Sequence, residues 1–142
     1  MRPEYIIKKE EGFVSHAYPD SEGYLTIGIG TLIDKRKGGG ITESEAFMLM
    51  RNRIEMIYPV LDAKLPWWRS MSDVRQSILV SMAYQLGISG LLKFKNTLWS
   101  MRIGNYEAAA RGILASKMAK QTPERTQRAA KAMETNVYEY ED

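Results

Sequence analysis

Residues Phe13 to Ile33, FVSHAYPDSEGYLTIGIGTLI, decide the fold. β-Branched and aromatic residues fill the stretch, while Pro19-Asp20-Ser21-Glu22-Gly23, Gly28 and Gly30 interrupt it, which predicts a small antiparallel sheet of hairpins. Such a sheet buries too little apolar surface to stand alone. Before it, Pro3 suits the first turn of a helix, EYIIKKEE favours helix and Gly12 is a terminator, so Pro3 to Glu11 reads as a short helix with Glu11 at its carboxyl end. After it, Lys35-Arg36-Lys37-Gly38-Gly39-Gly40 is a polar turn, and Thr42-Glu43-Ser44-Glu45 has the capping-box spacing that opens a helix.

That helix, spanning about residues 43–59, carries Phe47, Leu49, Met50, Ile54 and Ile57 and is expected to end or kink near Pro59. Ser72 caps a further helix running to Leu86, with Val74, Ile78, Leu79, Met82 and Ala83 at helical spacing and Gly87 as its stop. The remainder divides at Gly90, at Gly104-Asn105 and at Gln121-Thr122-Pro123 into short helices, with Thr122 as cap and Pro123 in the first helical position of the last. A small sheet followed by a helical bundle is an α+β architecture without repeats.

A chain of 142 residues, 44% hydrophobic and 26% charged, fits one globular domain with a genuine core and excludes a two-domain enzyme of ordinary size. With no cysteine and one histidine, His16, there is no disulfide, thiolate metal site, cysteine nucleophile or zinc cluster, and carboxylates must carry any acid–base chemistry. His16 has no neighbouring group to orient it as a base and reads as a partly exposed strand residue. The opening MRPEYIIKKEEG lacks an apolar leader core, and no stretch nears the roughly 18 apolar residues of a membrane span, so the chain is expected to be cytosolic when made.

Charge is unevenly placed. Met1 to Asp34 holds three basic and six acidic residues, whereas Leu91 to Lys131 holds nine basic and two acidic, a surplus of seven positive charges that attracts polyanions. The two regions suit opposite walls of one cleft. Glu11, Asp20 and Thr26 place two carboxylates and a hydroxyl around one hairpin, which suits hydrolysis of a glycosidic bond: one acid protonates the leaving oxygen and a second group activates water or stabilises the oxocarbenium-like transition state. Taken alone, the same residue types also describe a solvated helix end and an ordinary turn. Gly28-Ile29-Gly30 lacks the third glycine and following helix of a dinucleotide site, so no nucleotide cofactor is implied.

Several motifs in order carry a resemblance. Glu11-Gly12, Tyr18 to Tyr24 and Thr26-Ile27-Gly28-Ile29-Gly30 are followed by Met82 to Gly87, Phe94-Lys95-Asn96-Thr97-Leu98 and Gln121 to Arg125. Together they resemble the lysozymes of T-even bacteriophages over nearly the whole chain. The resemblance implies a single lysozyme domain over residues 1–142. Its sheet-bearing lobe would lie at about 13–45, its connecting helix at about 43–59, and its helical lobe at about 66–142 together with helix 3–11, with the polysaccharide bound between the lobes. It further implies an inverting muramidase in which Glu11 is the general acid, Asp20 activates the attacking water and Thr26 holds that water. Leu32, Tyr84 and Thr97 match the sugar-binding positions, and Gly30 gives the backbone close approach.

The implied partner is bacterial peptidoglycan, cut between N-acetylmuramic acid and N-acetylglucosamine without metal or cofactor. The implied protein is a monomeric endolysin in the host cytoplasm, without stable membrane association, which reaches the wall after a holin opens the membrane. Three positions depart from the pattern: Thr31 replaces a histidine, the stretch Asp34 to Gly40 is short, and Gly112 stands where a polar sugar-contacting side chain is expected. Trp67, Trp68 and Trp99 read more readily as packing aromatics than as sugar platforms. Two rivals remain: a nucleic-acid module using the basic helix Pro123 to Met133, and a virion or toxin docking module of the same fold. The catalytic trio argues against docking alone, and a basic wall suits anionic peptidoglycan as well as nucleic acid.

Overall fold

The computed structural model describes residues 3–19, 23–28, 31–33 and 40–138. They form a mostly helical α+β structure with one small antiparallel sheet, as the sequence predicts. The chain divides into two compact units, Met1–Arg51 and Asn52–Asp142.

In the first unit, α1 (Pro3–Glu11) ends where Gly12 takes a left-handed φ of 71° and returns its N–H to the Lys8 carbonyl at 2.8 Å. This helix, assigned by the resemblance to the helical lobe, falls within the first unit. Strands β1 (Val14–Pro19), β2 (Leu25–Gly28) and β3 (Thr31–Leu32) pair antiparallel with β2 in the middle. Val14 faces Gly28 but Tyr18 faces Thr26, so the register slips along β1 and the hairpin is irregular there. The capping box then forms in full, the Thr42 N–H donating to Glu45 Oε1 at 2.9 Å and the Glu45 N–H to Thr42 Oγ1 at 3.1 Å.

The helix this box opens, α2, runs from Glu43 to Lys64 with Pro59 inside it, so of the end or kink expected near Pro59 the end is corrected. Pro59 removes one backbone donor, yet Ile54, Ile57 and Tyr58 before it and Leu61 after it all pack on the core of the second unit, and that burial holds the helix together across the gap. Beyond a short 3₁₀ turn (Trp68–Ser70) come α3 (Asp73–Leu92), α4 (Lys95–Arg102), α5 (Tyr106–Leu114), α6 (Lys117–Gln121) and α7 (Pro123–Thr135). Leu79, Met82, Leu91, Met101, Ile113 and Met133 form the centre of their core.

Ser72 caps α3 as expected, and Asn105 caps α5 by accepting from the Ala108 N–H at 3.2 Å. Gly87 does interrupt α3, at φ 75° and ψ 163°, but helix resumes after it, and the expected division at Gly90 falls instead at Lys93-Phe94. Thr122 occupies the cap position of α7 without capping it. Its hydroxyl donates to the Met118 carbonyl at 3.1 Å and accepts from Gln85 Nε2 at 3.1 Å, so it joins α3 to α6.

Trp68 is buried and anchors the corner after α2: its Nε1 donates to Asp62 Oδ1 at 2.7 Å, and Arg69 Nε meets the same carboxylate at 2.7 Å. The Arg69 guanidinium also lies 4.6 Å above the Trp68 ring. Arg75 closes the bundle from the other side, lying 3.6 Å over the Tyr106 ring while donating to the Met133 and Glu134 carbonyls at the end of α7.

Candidate active site

Glu11 is the last residue of α1. Asp20 and Gly30 lie outside the described residues, as do Asp34 to Gly39. Thr26 stands on the central strand, opposite Tyr18 on one side and Leu32 on the other, and is 5% exposed. Its Oγ1 donates to the Tyr24 carbonyl at 3.2 Å, which orients the hydroxyl by the chain of its own hairpin. The structure thus pairs two of the sequence-predicted residues, Thr26 and Leu32, as direct cross-strand neighbours, with Leu32 exposed. Thr31, replacing the expected histidine, is an exposed residue of β3, and His16 is exposed on β1.

In the second unit, Tyr84 is an exposed ring on α3 bordering an apolar cavity of about 630 Å³ whose other walls include Met56, Ile57 and Val60 of α2. Its neighbour Gln85, one helical step round, lines a different cavity of about 310 Å³ with Ser81, Arg125 and Arg128 around a floor of Met82 and Met118. Arg125 Nη2 donates to Ser81 Oγ there at 3.1 Å. The sequence reading did not single out this polar cavity, although Ser81 and Gln85 stand one turn apart on one helix and Arg125 and Arg128 stand one turn apart on another.

Thr97 on α4 is 6% exposed, turned into the bundle against α5. It packs against Gly112, where an added Cβ would lie 2.1 Å from Thr97 Oγ1. The position expected to carry a polar sugar-contacting side chain is therefore filled by the threonine opposite. Of the three tryptophans, Trp68 and Trp67 pack on the core, but Trp99 is 57% exposed and corrects its expected packing role.

An irregular three-stranded sheet carrying a buried threonine on its middle strand, preceded by a helix ending in glutamate and followed by a helical bundle, defines an α+β, lysozyme-like fold. The chain belongs to the phage lysozyme family, whose profile it matches over residues 8–138. It is 31% identical to the pre-baseplate central spike protein Gp5 of Enterobacteria phage T4 across 87% of this chain, and it spans only 26% of that protein's length. It is 25% identical to probable T4-type lysozyme 1 of Dictyostelium discoideum, with 93% of each chain covered. Probable T4-type lysozyme 2 of the same organism is 26% identical, again over 93% of each.

Proposed function

We propose that this protein is a muramidase that hydrolyses the β-1,4 bond between N-acetylmuramic acid and N-acetylglucosamine in peptidoglycan. The observation that carries the reading is that the family match spans residues 8–138, a stretch that includes Glu11 and Asp20, the two kinds of carboxylate that glycoside hydrolysis calls for, together with the Thr26 hydroxyl. Glu11 protonates the glycosidic oxygen as its bond to the anomeric carbon breaks. Asp20 takes a proton from a water that adds to that carbon from the opposite face, and Thr26 holds the water. Leu32, Tyr84, Thr97 and Gly30 are assigned to substrate binding.

No cofactor takes part in this scheme, and the enzyme acts as a monomer. It accumulates in the host cytoplasm and reaches the wall when a holin opens the membrane. The Gp5 likeness favours a second setting for the same chemistry, a lysozyme unit carried on the virion, and antibody detection of the chain in purified particles selects between the two.

Glu11→Gln keeps the shape of the acid and removes its transferable proton, so sacculus clearing is expected to fall at least ~100-fold in a folded variant. Near-wild-type clearing overturns the assignment. Inversion leaves room for water between the carboxyl groups, roughly 6.5–9.5 Å, and releases an α reducing end from the β-linked polymer. Proton NMR of early products reads the anomer before it mutarotates, and a β product rejects the inverting mechanism.

A further inference from the structure

The geometry points to a second glycan-binding face, outside the catalytic residues, built on α4 around Trp99; the identity of its ligand rests on the muramidase reading. Helix α4 has two unlike faces. Thr97, Leu98 and Met101 are buried, whereas Lys95, Asn96, Trp99, Arg102 and Ile103 at its outward face and end are exposed. Trp99 sits at the middle of this row, with Lys95 and Asn96 one turn before it and Arg102 and Ile103 one turn after. The Arg102 guanidinium lies 5.6 Å from the centroid of the Trp99 ring, so a cation already borders the aromatic surface.

An indole left 57% exposed offers a flat apolar surface that the C–H face of a pyranose can cover. The Asn96 amide and the Arg102 guanidinium beside it supply hydrogen bonds to hydroxyl and acetamido groups. Charge selects the class of polymer. Leu91 to Tyr106 contains Lys93, Lys95 and Arg102 and no carboxylate, which matches a glycan that bears carboxylates on its stem peptides. A lipid surface fits less well: Ile103, 58% exposed, is the one aliphatic side chain in the row, and it is followed by Gly104 and Asn105, too little apolar surface to enter a bilayer.

The test compares wild type, Trp99→Ala and Trp99→Phe as full-length protein on purified sacculi and on short soluble glycan oligomers. Trp99→Ala is expected to bind sacculi roughly tenfold more weakly in cosedimentation, a loss of about 1.4 kcal/mol. On sacculi it should raise KM and leave kcat unchanged, its turnover of soluble oligomers should match wild type, and Trp99→Phe should recover most of the binding. Equal sedimentation of wild type and Trp99→Ala overturns the inference, as does an equal loss on soluble oligomers, which would put the ring in the catalytic site. Loss of binding to phosphatidylglycerol vesicles with sacculus binding intact would assign the face to lipid and also overturn it. If the wild type releases no reducing ends from either substrate, the muramidase reading fails; weakened sedimentation of Trp99→Ala in that case still supports the binding face.

Discussion

Gly112→Ala reverses the sign that helix propensity alone assigns to it. Gly112 lies inside α5, where glycine is less favourable than alanine by about 1 kcal/mol, so with open space around it the substitution would stabilise the protein. The space is taken. A Cβ at 112 would meet Thr97 Oγ1 at 2.1 Å and Thr97 Cβ at 3.2 Å. Relief requires either turning a β-branched side chain in a site only 6% exposed or spreading α4 from α5, and overpacking of this kind costs about 1–3 kcal/mol. A 2.1 Å approach puts the packing cost in the upper part of that range, about 2–3 kcal/mol, so it exceeds the propensity gain of about 1 kcal/mol and leaves a net destabilisation on the order of 1–2 kcal/mol, which for a chain of this size lowers the melting temperature by about 3–8 °C.

Urea denaturation of Gly112→Ala, Thr97→Ala and the double variant tests this packing directly. Removing Oγ1 makes room for the new methyl, so the double variant is expected to be at least as stable as Thr97→Ala alone, with a coupling of about 1–2 kcal/mol. A stabilised Gly112→Ala, or a cycle additive to within about 0.5 kcal/mol, refutes the close approach of the two helices.

Gly87→Ala should destabilise for a different reason: no heavy atom obstructs a Cβ there, but φ 75° and ψ 163° are close to glycine's alone, at a cost of about 1–3 kcal/mol, and an unchanged melting temperature rejects the kink. Asp62 is held below its ordinary pKa of 3.8 first by the Arg69 hydrogen bond and then by that from Trp68, so its contribution is present above the unfolded value and fades as pH falls through the lowered one. Asp62→Asn should therefore be less stable than wild type at neutral pH and converge on it in the acid limb of a urea-midpoint profile; a pH-independent difference contradicts the pairing. Glu45→Ala opens the capping box and should cost about 0.5–1 kcal/mol, and no change in a urea titration argues that α2 starts without it.

What the sequence made legible was local. Thr42 with Glu45, Ser72 and Asn105 each bond backbone within three residues of themselves, so residue type and spacing suffice to place those helix starts. Pro59 misled because the burial of Leu61 is a tertiary fact, as is the diversion of Thr122 from its cap to Met118 and Gln85. The break at Ala115-Ser116 carries no glycine or proline and gave no signal. Three tryptophans looked alike until the register of α4 turned Leu98 and Met101 inward and Trp99 outward.

Gly112 shows why chemistry is harder to read than fold. Against the pattern the sequence resembles it is a missing polar side chain, which taken alone reads as one hydrogen bond fewer to the proposed substrate. Its meaning depends on Thr97, fifteen positions earlier and brought opposite by the turn at Gly104-Asn105, whose hydroxyl occupies the space a side chain at 112 would need. The two residues are therefore one packing decision: with threonine at 97 in this rotamer, glycine is the residue that lets α5 approach α4. An attempt to restore the family's polar side chain by changing position 112 alone would displace the very threonine assigned to the substrate.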